Sequence, residues 1–447
     1  MCIILVLVLA LVVPPVATTA GPRSPGTGPV KAALRLAREL PEPSLADLLA
    51  EIATTHPDVL AARARARALA ARAPRERLLP DPTLGATAFV APPETRTGPQ
   101  RFALAWTQPI PARSRRRARE ATVLARARAA EALAGDVALA RVLEGRRLVE
   151  RIRASDEIRT LLHEDLRVLD GFEELARARY ETGRGIVAAV VRLHAERSRA
   201  RARILDERAR RAELVAALAT LAGHPVEVPP LAPRRGPVPR LPSREHLLAL
   251  ARRHRPILEA GRRDVAAAER LVTARTLEFR PDFSVGLSWT MVDTRGDPAG
   301  RLAPPGGNGR DILALTTAIR LPIRRERVRS RVREAIEARR GAELSLAAHE
   351  RDVLGTIEEV LARLPLLVDQ VSLLRDTLLP QAEQSLASWR SAWETGGADA
   401  IDLLDARRTL LEVRLGIARA DLALRLALLD LEGALGVSLG DLSGGAR

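Results

Sequence analysis

The feature that most constrains this chain is an internal duplication. The stretch "THPDVLAARARARALAARAPRERLLPDPTLGATAF" at 55–89 resembles "HRPILEAGRRDVAAAERLVTARTLEFRPDFSVGLSW" at 254–289, and "LAWTQPIPARSRRR" at 104–117 resembles "LTTAIRLPIRRERV" at 315–328. The order is the same in both halves, and the tripeptide E-T-G occurs once in each, at 181–183 and 394–396. A tandem repeat of this size indicates two structural units with one plan.

The spacing between matching residues locates an insertion. The offset is 201 between Asp81 and Asp282 but 211 between Pro111 and Pro322. Insertions are tolerated best in surface loops. We therefore expect a loop in this interval of each repeat, with the longer one in the second.

Each repeat is predicted to begin with a helix of about 35 residues, with Ser44 and Ser243 as candidate N-caps. A β-hairpin and a very long helix follow. The long helical stretch covers 72 residues from Pro111 to Gly183 in the first repeat, or roughly 110 Å at 1.5 Å per residue. The E-T-G tripeptide then marks a sharp turn, because glycine adopts the left-handed conformation easily.

The hairpin strands alternate between apolar and small polar residues. Ser284, Gly286 and Ser288 lie on one predicted face of the third strand. The opposite faces carry the candidate membrane-facing residues, which are Phe102, Leu104, Trp106, Phe283, Val285, Leu287 and Trp289. Strands of about 9–11 residues are long enough to cross a bilayer when tilted.

The predicted boundaries follow from this plan. They are a signal peptide at 1–20, a linker at 21–43, repeat 1 at 44–222 with a hairpin at about 83–110 and a turn at 181–185, a Pro-rich linker at 223–242, repeat 2 at 243–436 with a hairpin at about 282–321 and a turn at 394–399, and a C-terminal tail at 437–447. The signal peptide is inferred from the apolar run at 3–13 and the small residues after it. The signal would direct the chain out of the cytoplasm, and its removal would take away Cys2, the only cysteine.

Composition excludes several classes of function. The formal charge is +16, but acidic residues are interleaved with the arginines, and aromatic residues do not alternate with the basic runs. This argues against a nucleic-acid partner. The seven histidines lack metal-ligand spacing, and "GGNG" at 306–309 is not followed by the residues of a phosphate loop. We expect neither an enzyme nor a cofactor.

The chain resembles the TolC-like family of outer-membrane efflux proteins. The resemblance rests on "LLPDPTL" at 78–84, "TQPIP" at 107–111, "LPIRRERVRSRVREA" at 321–335 and, most specifically, "LLPQAEQSLASWRSAWETGGADAIDLLDARRTLLEVR" at 378–414. It implies a mainly helical fold with a small β part. In such a fold, three subunits form a periplasmic α-barrel that continues into a twelve-stranded transmembrane β-barrel.

The resemblance also implies a function. It is that of a passive homotrimeric conduit in the outer membrane, in contact with lipid, which exports metal ions, drugs or other small molecules. Its partners would be a periplasmic adaptor protein and an inner-membrane pump. The two turns would dock the adaptor, which makes Thr182, Gly183, Thr395 and Gly396 candidate docking residues.

An acidic entrance to the conduit would come from the second repeat only. Asp399, Asp402 and Asp405 follow its turn, whereas 183–191 contain no acidic residue. The alternative is that these carboxylates are solvated or pair with Arg407 and Arg408.

Further expectations concern the helices. The resemblance implies that the segment at 44–79 stacks end to end with the segment at 184–222. Pro74, Pro365 and Pro380 lie within predicted helices and would kink or interrupt them. A competing interpretation of the whole chain is a secreted or periplasmic coiled-coil scaffold that binds protein partners. That interpretation leaves the hairpins of membrane-spanning length unexplained.

Overall fold

The computed structural model describes residues 30–182, 187–234, 236, 239, 241–395 and 397–440. The predicted signal peptide, the turn glycines Gly183 and Gly396, and residues 441–447 of the predicted tail lie outside these residues. The helices are α1 Lys31–Ala37, α2 Pro43–Thr55, α3 Pro57–Arg77, α4 Arg113–Glu181, α5 Val187–Ala222, α6 Arg244–His254, α7 Pro256–Thr276, α8 Pro298–Leu302, α9 Arg325–Ser372, α10 Leu379–Thr395 and α11 Ala400–Leu435. The strands are β1 Thr83–Ala88, β2 Gln100–Ile110, β3 Asp282–Val292 and β4 Ile312–Arg320. Among the described residues, no helix combines the length and the apolar character needed to cross a membrane.

The first helix of each repeat is divided into two, so the prediction of one helix of about 35 residues was wrong. The breaks fall at His56 and Arg255, whose backbones are extended with ψ angles of 134° and 119°. Each break precedes a proline, Pro57 or Pro256, that opens the next helix. Proline disfavours the helical conformation in the residue before it and is well suited to the first helical position.

The two candidate N-caps differ. Ser243 caps α6, because its hydroxyl accepts a hydrogen bond from the backbone N–H of His246 at 3.4 Å. Ser44 does not cap α2, since that helix begins one residue earlier, at Pro43. Its N-cap residue is Glu42, whose side chain makes no capping hydrogen bond. The prediction for Ser44 was wrong because Pro43 occupies the first helical position.

The two long helical stretches differ in continuity. Helix α4 runs for 69 residues, whereas α9 has 48 residues and is followed by a π-helical segment, Leu373–Leu378, before α10. The helices continue through Pro74 and Pro365. The π-helical segment, in which hydrogen bonds span five residues instead of four, lies directly before Leu379 and Pro380. Of the three prolines, only Pro380 therefore lies beside a departure from regular α-helix.

The four strands form one antiparallel sheet in the order β1-β2-β3-β4. The β2–β3 pairing joins the two repeats, with Trp106 opposite Leu287. Strands β1 and β4 form the two edges. The sheet therefore brings both hairpins to one end of the long helices.

Helix α4 is the centre of the helical part and packs against α3, α5, α7 and α11. A Cβ placed on Gly145 of α4 would lie 2.4 Å from Leu49 Cδ2 of α2 and 3.4 Å from Leu221 Cδ2 of α5. The end of α5 and the first helix of the repeat therefore meet over the same point of α4.

Buried charges join the Pro-rich linker to this helix. The Asp156 carboxylate, 3% exposed, accepts hydrogen bonds from Arg211 Nε at 2.7 Å, from Arg159 at 3.0 Å and from the backbone N–H of Leu231 at 3.0 Å. Because Asp156 lies in α4, Arg211 in α5 and Leu231 in the linker, one carboxylate holds three segments together.

Candidate functional site: the helical tip and the sheet face

Both long helical stretches end with a threonine that closes the helix in the same way. The Thr182 hydroxyl donates to the carbonyls three and four residues earlier, at 3.0 and 3.1 Å. The Thr395 hydroxyl does the same at 3.0 and 3.2 Å. Carbonyls at a helix C-terminus lack intrahelical partners. The threonine of each E-T-G therefore satisfies the end of its helix just before the turn.

The two hairpins are held together at this end by an apolar tip cluster. Its buried members are Leu169, Phe172, Ala176, Leu193, Ala200, Trp393, Leu403 and Leu404. The rings of Phe172 and Trp393 meet edge to face, with centroids 6.2 Å apart. The Arg179 guanidinium lies 5.6 Å from the centroid of the Trp393 ring and donates a hydrogen bond to the Trp393 carbonyl. Aromatic packing and a cation–π contact thus connect the first repeat to the second.

The first two candidate entrance carboxylates form the start of α11. The Asp399 side chain accepts from the backbone N–H of Asp402, and the Asp402 carboxylate accepts from the N–H of Asp399 at 3.4 Å. This reciprocal arrangement is a capping box. Sequence reasoning missed it, although an acidic residue followed three positions later by another is its local signal. Asp405 lies one turn further along and is exposed.

The alternative in which these carboxylates pair with Arg407 and Arg408 was wrong. Arg407 is buried and binds the Asp165 carboxylate with two nitrogens, with Nε 2.6 Å from Oδ1. Glu196 lies 3.6 Å from the same guanidinium. In the described part of the chain, Asp405 makes no ion pair, which leaves its charge unneutralised by arginine.

A cavity of about 300 Å³ opens beside the tip cluster. It is lined by Arg179 and Arg192 from the first repeat and by Asp399 and Ile401 from the second. The first repeat therefore contributes positive charge beside the capping box. Because opposite charges face one another here, the tip is not uniformly acidic.

The sheet has one apolar face built in register. Leu84, Trp106, Leu287 and Leu315 lie opposite one another in one row across all four strands. Leu287 is 47% exposed and Leu315 73% exposed in the single subunit. Phe102, Leu104, Phe283, Val285 and Trp289 belong to the same alternating set, so all seven sequence-predicted strand residues share this face.

The opposite face of the sheet is small and polar. Thr107, Gly286 and Thr316 form one row, and Ala105, Ser288 and Ala314 form the next. The arrangement provides an apolar surface and a hydrophilic one on the same four strands. Among the described residues, no group of His, Cys, Asp and Glu could hold a metal ion.

Comparisons with known proteins agree with this geometry. Residues 247–437 match the family model for outer membrane efflux protein. The fold is similar to that of CusC, a protein whose crystal structures concern folding and transmembrane channel formation, with a TM-score of 0.71 and 17% identity over 88% of this chain and 92% of that one.

Two further solved structures share the fold. The outer membrane protein VceC from Vibrio cholerae gives a TM-score of 0.66 and 21% identity over 92% of this chain and 97% of its own. The open state of the MtrE outer membrane channel from Neisseria gonorrhoeae gives 0.67 and 18% identity over 91% of this chain and 89% of its own. No curated protein sequence matches the chain significantly.

Proposed function

Because residues 247–437 match the family model for outer membrane efflux protein, we propose that the chain is a member of the TolC-like family and forms the outer-membrane channel of a tripartite efflux system. Three copies make a passive conduit that exports metal ions, drugs or other small molecules from the periplasm. A periplasmic adaptor docks at the turns that follow Thr182 and Thr395, and an inner-membrane pump supplies the substrate.

The observation that carries this proposal is the two-faced sheet at one end of the long helical hairpins. Its apolar row suits contact with lipid, and its threonine and serine rows suit a wet lumen. Strands β1 and β4 each have one edge without a partner in the described chain. Unpaired edges favour pairing with another strand, and three copies would supply twelve strands for a closed barrel.

A charge placed on each sheet face tests the proposal. Leu287→Arg should make the free energy of folding into the membrane less favourable by about 2–4 kcal/mol if the residue lies near the bilayer midplane. Ser288→Arg is the control on the opposite face. Gly286 is unsuitable as the control, because a Cβ there would lie 3.3 Å from the Trp106 carbonyl oxygen.

The measurement is the yield of trimer that detergent, but not high salt, extracts from outer membranes. Leu287→Arg should reduce this yield, and Ser288→Arg should leave most of it. Release of the unsubstituted protein by salt alone would favour the coiled-coil scaffold instead.

The proposed entrance is tested by ion selectivity. Asp402→Asn with Asp405→Asn should reduce cation preference in single-channel recordings across a salt gradient, because carboxylates near a constriction attract cations. Asp399 is unchanged as the N-cap residue, so the start of α11 should persist. Glu412→Gln, two turns further along α11, is the matched control. An unchanged reversal potential in the double variant would remove Asp402 and Asp405 from the entrance.

A further inference from the structure

Arg115 fixes the first turn of α4 to the second repeat. Its side chain is 6% exposed and donates hydrogen bonds to the Asp282 carboxylate, to the Arg280 carbonyl and, at 3.2 Å, to the Leu277 carbonyl. These three acceptors lie where α7 passes into β3, and we call them the Asp282 socket. Charge-assisted hydrogen bonds of this kind are stronger than neutral ones.

The second repeat carries a counterpart of the arginine. Counted from the first residue of each long helix, arginines occupy positions one, three, five and seven in both repeats, at Arg113, Arg115, Arg117, Arg119 and at Arg325, Arg327, Arg329, Arg331. By this count Arg327 occupies the position of Arg115, whereas the spacing of 211 between Pro111 and Pro322 pairs Arg327 with Arg116.

The first repeat carries a counterpart of the socket. Asp81 follows Pro80 just before β1, as Asp282 follows Pro281 at the start of β3. Asp81 and Leu79, the counterpart of Arg280, line a cavity of about 820 Å³. We call this the Asp81 socket. Arg113, Arg116 and Arg117 of the same chain also line this cavity, and Arg116 donates to the Arg77 carbonyl at 2.6 Å, but no basic side chain forms an ion pair with Asp81 among the described residues.

Arg327 is also free in the single subunit. Its side chain is exposed, and within the described ranges it forms no hydrogen bond or ion pair. Arg115 follows β2 and Asp282 begins β3, which are neighbouring strands. Arg327 follows β4, whereas Asp81 precedes β1 at the opposite edge of the sheet. At about 4.8 Å per strand, three strand spacings separate them, so one subunit cannot close this contact.

We propose that Arg327 of one subunit occupies the Asp81 socket of the next copy of the chain. The guanidinium binds the Asp81 carboxylate, as Arg115 binds the Asp282 carboxylate, while the Arg77 carbonyl at the end of α3 already accepts from Arg116 of the same subunit. This places α9 of one copy against α3 of its neighbour, as α4 lies against α7 within a subunit. The inference rests on the proposed trimer, and it assigns the residue pair that closes each subunit boundary.

Proximity is tested with cysteines and a short bis-maleimide cross-linker. A reagent with some reach is needed, because a disulfide requires Cα atoms closer than an arginine–aspartate pair holds them. The only native cysteine, Cys2, lies in the predicted signal peptide. Asp81→Cys with Arg327→Cys should give covalent dimers and trimers on a denaturing gel. Arg115→Cys with Asp282→Cys should react within one subunit and run as a monomer.

Charge reversal tests the energetics. Arg327→Asp should weaken the trimer by on the order of tenfold or more in its dissociation constant, since it places two carboxylates next to each other across the boundary. Adding Asp81→Arg should restore much of the loss. Arg325→Asp is the matched control, because its counterpart Arg113 makes no ion pair in the described chain. A loss equal to that of Arg327→Asp would overturn the pair.

The two experiments separate this inference from the proposed function. If the unsubstituted protein forms no trimer, the proposed channel fails. If it forms trimers but the Asp81 and Arg327 cysteines give only monomers, the channel stands and the pair is overturned. Intersubunit products together with recovery by the double charge reversal support the pair.

Discussion

The long helices of the two repeats share one sequence plan but have different surroundings. Helix α4 buries charged residues along its length, among them Arg146, Asp156 and Asp165. The buried residues of α9 are all apolar, and most of its surface is exposed in the single subunit. The central helix packs against six others, whereas α9 contacts mainly α7 and α11.

This difference shows that burial follows position in the subunit rather than helix-forming tendency. Both helices are rich in alanine, leucine and arginine, which are good helix formers. Helix α4 has more helix neighbours than α9, so its buried polar groups require partners within the chain. The exposed side of α9 is available for contact with another copy in the proposed trimer.

The largest expected effect breaks a buried charge pair on the central helix. Asp165→Ala leaves the buried Arg407 with only Glu196 at 3.6 Å, and should cost about 3 kcal/mol of unfolding free energy, toward the low end of the range for a broken buried pair. The measurement is denaturant unfolding of the detergent-solubilised protein. Glu412→Ala breaks the exposed pair with Arg408 and should change the free energy by less than about 1 kcal/mol. Equal effects would show that α4 is not distinguished by its buried charges.

Replacing a glycine by alanine should change the stability in opposite directions in the two helices. Gly145→Ala in α4 should destabilise by about 1–3 kcal/mol, because its Cβ would lie 2.4 Å from Leu49 Cδ2. Gly355→Ala in α9 should stabilise by up to about 1 kcal/mol, because nothing lies within 4 Å and alanine favours helix. Thermal unfolding of both variants measures the difference. Destabilisation by Gly355→Ala would mean that another subunit packs tightly there.

Replacing the serine near the start of each repeat by alanine should destabilise the protein only where that serine caps a helix. Ser243→Ala should cost about 0.5–1 kcal/mol, the lower part of the usual range, because its hydrogen bond is long at 3.4 Å. Ser44→Ala should cost close to nothing, since Ser44 makes no cap. Unfolding free energies of the two variants provide the test. A larger loss at Ser44 would contradict the assigned helix start.

The smallest expected effect is a pH dependence confined to the second repeat. Burial, with Arg253 and Arg35 nearby, lowers the pKa of His254 in the folded state. The folded protein then binds fewer protons than the unfolded chain, so the His254 contribution is present above about pH 6.5 and is lost as pH falls below it. His254→Gln should reduce the loss of stability between pH 7 and pH 5.5. Thr55 occupies the equivalent place in the first repeat and does not titrate. An unchanged pH profile in His254→Gln would refute the assignment.

The predictable parts of the fold are those marked by short local signals, namely prolines, glycines and capping residues. The proline- and glycine-rich loops located the hairpins, and E-T-G located the ends of the long helices. Pro57 and Pro256 carried a signal for the helix breaks that the periodicity argument overlooked. Asp399 and Asp402 likewise matched a capping box that was interpreted only as charge.

Other features depend on contacts that no local pattern encodes. With 71 Lys and Arg and 55 Asp and Glu, sequence alone cannot select Asp165 as the partner of Arg407. The two residues are 242 positions apart, and only the packing of α11 on α4 brings them together. The same holds for Arg115 and Asp282. The lipid-facing and entrance residues stay predictions, because they concern an assembly larger than one subunit.

The π-helical segment has a consequence for the history of the duplication. Counted from the first residue of each long helix to the threonine that closes it, the first copy has 70 residues, Arg113–Thr182, and the second has 71, Arg325–Thr395. A π-helix hydrogen-bonds over five residues instead of four, so it holds extra chain in each turn. The π-helical segment at Leu373–Leu378 would accommodate a one-residue insertion in the second copy. Thr182 and Thr395 would then end their helices at the same height along the bundle. Deletion of one residue in this segment would then restore a plain α-helix, whereas the same deletion in α4 would rotate everything beyond it by about 100°.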